Sequence, residues 1–129
     1  MGKIVPFLLA LTLLLSACGA PAELGYQQVT AQQAQSLMEE TGDWILLDVR
    51  TQAEYEQAHI PGAVCVPNEE IGTEEIPELP DKEQLILVYC RSGNRSKQAS
   101  EKLVQLGYTN VVEFGGIINW PGETVSGTM

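Results

Sequence analysis

The 129 residues of this chain include 17 acidic and 7 basic side chains, which give a formal net charge of −10. This length suits one domain with a single modest core, and so acidic a body argues against nucleic acid as a partner. One histidine and three cysteines without C-x-x-C spacing argue against a zinc site and against a disulfide scaffold. We therefore expect neither a metal nor a cofactor.

The chain begins with a short positively charged segment, Met1–Lys3, followed by an almost wholly apolar run over residues 4–15. This run is shorter than the roughly 20 residues that span a bilayer, but it suits the core of a secretory signal. Leu15-Ser16-Ala17-Cys18 resembles the lipobox of bacterial lipoproteins, in which the cysteine is lipidated and becomes the new N-terminus. The alternative is an ordinary signal peptide with Cys18 an incidental residue near the cut.

The lipoprotein interpretation divides the chain into a signal peptide over residues 1–17, a lipidated tether over 18–25 and a folded domain over 26–127. Cleavage would remove Lys3 and change the formal charge from −10 to −11. Two acyl chains on Cys18 would give stable anchoring. We therefore expect an extracytoplasmic protein that is lipid-anchored to a bacterial membrane, with no catalytic role for Cys18.

Helix and strand patterns alternate through the first half of the domain. Thr30-Ala31-Gln32-Gln33 has capping-box spacing and starts an amphipathic helix that ends near Gly42. The apolar run 44–49 predicts a strand that is covered on both faces. A second capping box, Thr51-Gln52-Ala53-Glu54, opens a short helix, and a short strand follows around residues 63–66.

The same alternation continues after an acidic, proline-containing connection over residues 68–83, which has room for one helical turn. A strand is predicted at Leu85–Tyr89, a helix from about Ser96 to Leu106 and a strand at Val111–Phe114, with Gly115-Gly116 as a turn. This order predicts an α/β fold of three layers, in which helices flank a mostly parallel central sheet.

Ligands of such sheets bind beyond the carboxyl ends of the strands, and three chemically interesting residues lie at these ends: Asp48, Arg50 and Cys90. Cys90 also precedes a helix N-terminus, whose free N–H groups favour negative charge. The small residues that follow can curl the backbone into an anion nest, and two arginines add positive charge. The whole loop reads Cys90-Arg91-Ser92-Gly93-Asn94-Arg95-Ser96. These features favour a reactive thiolate.

The charge is uneven along the chain. Four of the seven basic residues fall within twelve positions, namely Arg91, Arg95, Lys97 and Lys102, whereas residues 69–83 hold seven acids and one base. A positive patch on a negative body attracts small anions to one place. The residues alone leave a phosphoester, arsenate or a sulfane sulfur as possible substrates.

Five ordered motifs together resemble the rhodanese domain, over a likeness that runs from about Tyr26 to Val125. They are Leu47-Asp48-Val49-Arg50, Glu54-Tyr55, His59-Ile60-Pro61-Gly62-Ala63, Val88-Tyr89 with the Cys90–Ser96 loop, and Phe114-Gly115-Gly116 followed by Trp120. Ala58 stands where the family commonly has glycine.

This resemblance implies an enzyme, a sulfurtransferase that works through a persulfide on Cys90. The donor would be a small sulfur anion such as thiosulfate, and the acceptor a thiol or cyanide. By the same resemblance Arg91 and Arg95 would orient the substrate within the loop, while Asp48 and Arg50 brace the loop through polar contacts. We expect a monomer.

Two other functions stay open. A related branch of the fold contains cysteine phosphatases and arsenate reductases, whose loops have five residues between cysteine and arginine; here Cys90 and Arg95 enclose four. The other alternative is a carrier that presents persulfide without turnover of its own.

Three further residues have structural interpretations. We expect Cys65 to be a small core residue, although a disulfide with Cys90 would silence the loop. We expect His59 to hydrogen-bond within a turn. Arg50 could contact the substrate or pair with Glu54, and we expect the pair with Glu54.

Overall fold

The computed structural model describes residues 25–128. The predicted signal peptide, the lipidation of Cys18 and the tether up to residue 24 lie outside this part of the chain. No helix within residues 25–128 has the length and apolar character needed to cross a membrane.

Both predicted capping boxes are present. Thr30 and Gln33 exchange side-chain and backbone hydrogen bonds at the start of the first helix, and Thr51 and Glu54 do the same at the second. The described elements are β1 (Gln27–Gln28), α1 (Ala31–Thr41), β2 (Trp44–Asp48), α2 (Gln52–Gln57), β3 (Val64–Cys65), β4 (Leu85–Cys90), α3 (Asn94–Gln105) and β5 (Val111–Gly116), with 3₁₀ turns at Asn68–Glu70 and Ile117–Asn119.

The five strands form one parallel sheet in the order β1-β5-β4-β2-β3. This confirms the predicted α/β class. The two-residue strand β1 was not predicted, because Gln27-Gln28 has no apolar pattern of its own and pairs through its backbone with Val112 and Glu113.

The sheet separates two apolar cores, because alternate residues of a strand point to opposite faces. On one face Val88 and Cys90 of β4 pack with Leu103 of α3. On the other face Leu87 and Tyr89 pack with residues of α1 and α2. Cys90 and Tyr89 therefore lie on opposite sides of the sheet although they are adjacent in the chain.

The structure differs from the sequence prediction at both sides of the Cys90 loop. Helix α3 begins at Asn94, two residues earlier than predicted, so that Asn94, Arg95 and Ser96 form its first turn. Gly93 precedes it with φ of 122°, a backbone conformation that side chains disfavour. Strand β5 continues through Gly115 and Gly116, which were predicted to form a turn.

Gly116 lies directly against the backbone of the loop. A Cβ atom at this position would be 1.8 Å from the carbonyl oxygen of Arg91 and 2.6 Å from the nitrogen of Ser92. Glycine is needed here because the obstacle is backbone and cannot rotate away. The last residue of β5 thus supports the first residues of the loop.

We predict that Gly116→Ala lowers the free energy of unfolding by about 3 kcal/mol or more, because the added methyl group must displace backbone in a packed region. Urea unfolding of the purified protein measures the change. Gly72→Ala is the matched control, since a Cβ there meets nothing within 4 Å, and it should change stability little. Equal stability of Gly116→Ala and the unsubstituted protein would contradict the prediction.

Candidate active site

Cys90 ends strand β4 and lies where the loop turns into helix α3. Its side chain is 1% exposed. The backbone N–H of Gly93 donates a hydrogen bond to the sulfur over 3.0 Å. The strand therefore delivers the thiol to a place where a backbone donor stabilises negative charge on sulfur.

Ser96 lies behind Cys90 and is fully buried. Its Oγ is 3.5 Å from the sulfur of Cys90, 2.9 Å from the carbonyl oxygen of Gly93 and 3.2 Å from that of Gly115. Ser96 was predicted as part of the substrate-binding loop. Its hydroxyl instead faces the interior and connects Cys90 to the end of β5.

The solvent-facing part of the loop consists of Arg91, Ser92 and Asn94, which are exposed, whereas Gly93 is buried. Within residues 25–128 the guanidinium of Arg91 forms no ion pair. Arg91 is therefore available to an anion that approaches the loop.

Arg95 is held by Glu54 of α2. Its two terminal nitrogens donate to the two carboxylate oxygens over 2.8 and 3.1 Å. The hydrogen bonds from Arg95 lower the pKa of Glu54 from 4.5 to about 2, and the same hydrogen bonds raise the pKa of Arg95. This pair joins α2 to the first turn of α3.

The positive patch predicted from the sequence is smaller in the folded protein. Lys102 donates to the carbonyl and side-chain oxygens of Asn68 over 2.9 and 3.1 Å, and Arg95 is occupied by Glu54. Lys97 is exposed, like Arg91. Among the described residues, Arg91 and Lys97 are thus the bases of this patch that face solvent without an ion pair.

Asp48 and Arg50 form a separate network on the face of the sheet opposite Cys90. Asp48 accepts from Arg50 over 2.7 and 2.9 Å and from the hydroxyl of Tyr89 over 2.7 Å. Arg50 also donates to the carbonyl of Ala58. Burial alone would lower the pKa of Arg50, but Asp48 outweighs it and raises that pKa.

The predicted pair of Arg50 with Glu54 is therefore wrong, because Arg50 binds Asp48 and Glu54 binds Arg95. Asp48 and Arg50 do not reach the side chains of the loop by any hydrogen bond among the described residues. Their link to it runs through Tyr89, which neighbours Cys90 in β4.

The two remaining side chains of interest, His59 and Cys65, are placed by packing. His59 is fully buried, stacks on the ring of Tyr55 at 3.7 Å and lies 2.8 Å from the carbonyl oxygen of Tyr55. This agrees with a structural role. Cys65 is only partly buried, and burial followed by the charge of Asp48 raises its pKa to about 11.

A disulfide between Cys65 and Cys90 does not fit the sheet. Both thiols are free, and strand β2 lies between β3 and β4, with Asp48 aligned to Cys65 on one side and to Tyr89 on the other. Two strand spacings amount to about 9–10 Å, whereas bridged cysteines need Cα atoms within about 7 Å.

Sequence reasoning missed Glu113, which is 2% exposed in β5. Its Oε2 lies 2.5 Å from Oγ of Ser96 and accepts from the N–H of Gly115 over 2.9 Å. The sequence signal for a buried carboxylate was a single acid, Glu113, within the apolar run Val111–Phe114. Residues two apart in a strand share a face, so Glu113 lies on the same face as Val111. Within residues 25–128 no cluster of histidine, cysteine, aspartate and glutamate could hold a metal ion.

The chain is similar to known proteins in sequence and in fold. The family model described as Rhodanese-like domain matches residues 30–122. The chain belongs to this family. The match falls within the domain predicted over residues 26–127.

Two curated relatives carry sulfurtransferase names. Thiosulfate sulfurtransferase PspE of Escherichia coli is 40% identical over 74 residues, which cover 57% of this chain and 69% of that protein. A sulfurtransferase of Allochromatium vinosum is 38% identical over 94 residues, covering 72% and 86%. These relatives support a sulfurtransferase role for the rhodanese-like chain.

A solved structure described as rhodanese with anions from E. coli has the same fold. It matches with a TM-score of 0.59 and 38% identity over 64% of this chain and 98% of that one. The anions belong to that protein.

We predict that the Glu54–Arg95 pair makes stability depend on pH in the acid range. The folded-state pKa of Glu54 lies below the ordinary value, so the pair stabilises the fold above about pH 4.5 and loses its effect as the pH falls toward about 2. Glu54→Gln removes the charge but keeps a residue type that completes capping boxes. It should cost about 1 kcal/mol at pH 6, with a smaller cost at pH 3, measured by urea unfolding.

Glu56→Gln provides the control, since Glu56 is an exposed acid of the same helix whose side chain, among the described residues, accepts a hydrogen bond only from the side chain of Gln52. Its effect should be small and alike at both pH values. A difference between Glu54→Gln and the unsubstituted protein that stays constant from pH 6 to pH 3 would rule out the ion pair as its cause.

Proposed function

We propose that this protein is a sulfurtransferase in which Cys90 carries the transferred sulfur as a persulfide. The observation that supports this most strongly is the Gly93 N–H directed at the Cys90 sulfur, at the N-terminus of α3, in a chain of the rhodanese-like family. A donor at this place stabilises a thiolate before the reaction and a persulfide anion after it.

In the first half of the reaction the Cys90 thiolate attacks the outer sulfur of an anionic donor such as thiosulfate. A bond forms between the two sulfur atoms, the original sulfur–sulfur bond of thiosulfate breaks, and sulfite leaves with its electron pair. Arg91 is exposed next to the nucleophile and is the residue we assign to holding the donor's negative charge.

In the second half the acceptor, a thiolate or cyanide, attacks the outer sulfur of the persulfide. The new bond forms on the acceptor, and the electron pair of the broken bond returns to Cys90 as a thiolate. Each half exchanges one leaving group for one nucleophile, so the cycle needs neither an oxidant nor a reductant.

The geometry of Arg95 favours sulfur transfer over phosphoester hydrolysis. An oxyanion-binding phosphatase loop needs its arginine directed at the substrate, but both terminal nitrogens of Arg95 donate to Glu54. The loop is also short, with four residues between Cys90 and Arg95.

The test is persulfide formation on Cys90. We expect that incubation with thiosulfate adds the mass of one sulfur atom to the intact protein and that cyanide removes it with release of thiocyanate. When the protein is alkylated and then digested with trypsin, the extra sulfur should be found in the peptide Glu83–Arg91, in which Cys90 is the one cysteine.

Cys90→Ser should abolish the mass gain, whereas Cys65→Ser should retain it because Cys65 has a raised pKa. Hydrolysis of para-nitrophenyl phosphate without any sulfur loading would favour the phosphatase. Loading that persists without release to cyanide or thiols would favour a carrier.

We also propose that the domain works outside the cytoplasm, held to a bacterial membrane by lipid on Cys18. The support is the apolar run 4–15 followed by Leu15-Ser16-Ala17-Cys18. Two acyl chains suffice for stable attachment of a small domain to a bilayer.

Expression of the full chain in bacteria fed radiolabelled palmitate tests this proposal. We expect the label to enter the protein and the protein to sediment with membranes. Cys18→Ala should lose both properties, while Cys65→Ala, the matched control, should keep them. Equal labelling of the Cys18→Ala variant would disprove the anchor without affecting the assignment of Cys90.

A further inference from the structure

Glu113 is a buried carboxylate that the sulfur-transfer mechanism leaves unused. It is 2% exposed on the sheet face that carries Cys90, and it takes part in no ion pair among residues 25–128. A buried charge without a counter-ion is costly. Two consecutive hydrogen bonds connect Glu113 to the sulfur of Cys90, which suggests that the carboxylate affects the reactivity of this thiol.

Glu113, Ser96 and Cys90 form a continuous chain. Oε2 of Glu113 lies 2.5 Å from Oγ of Ser96, and that Oγ lies 3.5 Å from the sulfur of Cys90. Ser96 is fully buried, so this chain lies inside the protein. A hydroxyl can accept a proton on one side and donate its own on the other.

Each end of the chain has its own backbone donor. The N–H of Gly93 donates to the sulfur of Cys90 over 3.0 Å, and the N–H of Gly115 donates to Oε2 of Glu113 over 2.9 Å. Negative charge is therefore stabilised in a similar way at either end. The cluster can hold one negative charge on the carboxylate or on the sulfur with its hydrogen bonds kept in both states.

We propose that Glu113 acts through Ser96 as the internal acceptor of the Cys90 proton. This rests on the proposed nucleophilic role of Cys90. In the step the S–H bond breaks and its electron pair stays on sulfur, the proton binds Oγ of Ser96, and the original Oγ–H proton moves to Oε2 of Glu113. The cluster keeps a net charge of one negative unit throughout the step, because the proton moves only between its members. By this assignment Glu113, which acts through Ser96, is a positioning residue, whereas Ser96 contacts the reacting sulfur itself.

The charged groups around the cluster do not replace Glu113 in this role. The neighbouring charged groups of α3 are Arg95, Lys97 and Glu101. Tyr26, which precedes β1, is a further titratable neighbour. Its pKa is raised by burial first, and then by the negative charges of Glu101 and Glu113. Arginine, lysine and tyrosine keep their charge state between about pH 5 and 8. The histidine, His59, stacks on Tyr55, which packs in the core on the opposite face of the sheet.

The experiment is the rate of iodoacetamide alkylation at Cys90 from acid to alkaline pH, using the full chain. Trypsin cleavage after Lys82 and Arg91 isolates the Cys90 peptide from those of Cys18 and Cys65. Two ionisable groups that are coupled lose their two protons in two macroscopic steps, which belong to the pair. The unsubstituted protein should therefore show two rises in rate separated by a plateau.

Glu113→Gln and Ser96→Ala should each reduce the profile to one rise. The double variant should match the single ones, because residues that act as a unit are not additive. Ser96→Thr, which restores a hydroxyl, should bring back both rises. Glu101→Gln removes a carboxylate from exposed α3 surface and should keep both.

A single rise in the unsubstituted protein overturns the proposal without requiring any variant to fold. Two rises that survive Glu113→Gln or Ser96→Ala overturn it as well. Alkylation needs no sulfur donor, so a two-step profile in a protein that thiosulfate fails to load would support the relay and refute the proposed activity. A Cys90 that is not alkylated at any pH would refute both.

Discussion

The contact between the Cys90 loop and the end of β5 is the constraint on which the site depends. The peptide of Arg91 and Ser92 lies so close to Gly116 that no Cβ atom fits between them. Ser96 reaches the carbonyl of Gly115 from the other side of the loop. The two neighbouring parallel strands β4 and β5 therefore position the Cys90 sulfur jointly. Strand β4 carries Cys90, and β5 fixes the loop backbone that surrounds the sulfur.

The sheet also divides the buried polar residues around the site into two groups. On one face Glu113, Ser96 and Cys90 form a buried chain of hydrogen bonds. On the other face Asp48 gathers Arg50 and Tyr89 around one carboxylate. Alternation along β4 keeps these groups apart although Tyr89 and Cys90 are consecutive. In the second group Arg50 also donates to the carbonyl of Ala58, and the hydroxyl of Tyr89 accepts from the N–H of Ile60, so this group joins β2 and β4 to the segment between α2 and β3.

Local features could be predicted from the sequence, and contacts between distant segments could not. Both capping boxes depend on residues three apart, so Thr30 and Thr51 identify them directly. The partner of Arg95 is 41 positions away, and charge alone does not distinguish Arg50 from Arg95 as the partner of Glu54. Gly116 was taken for a turn because its role depends on the backbone of Arg91 and Ser92 in the Cys90 loop, which is distant in sequence. The Cys90 loop could be recognised because it is continuous in sequence, whereas the place of Glu113 beside Ser96 depends on which face of β5 the carboxylate occupies in the folded sheet.

The exposure of Arg91 and Lys97 on a chain of net charge −10 has a consequence for encounter with an anionic donor. At distances larger than the loop itself the donor experiences the negative charge of the whole body, and attraction by the two bases operates only close to the loop. Dissolved ions screen the distant repulsion more strongly than the short contact, with a Debye length of about 10 Å at 0.1 M. Moderate ionic strength therefore speeds the approach of an anion to this surface, the reverse of the effect on a protein whose overall charge attracts its ligand.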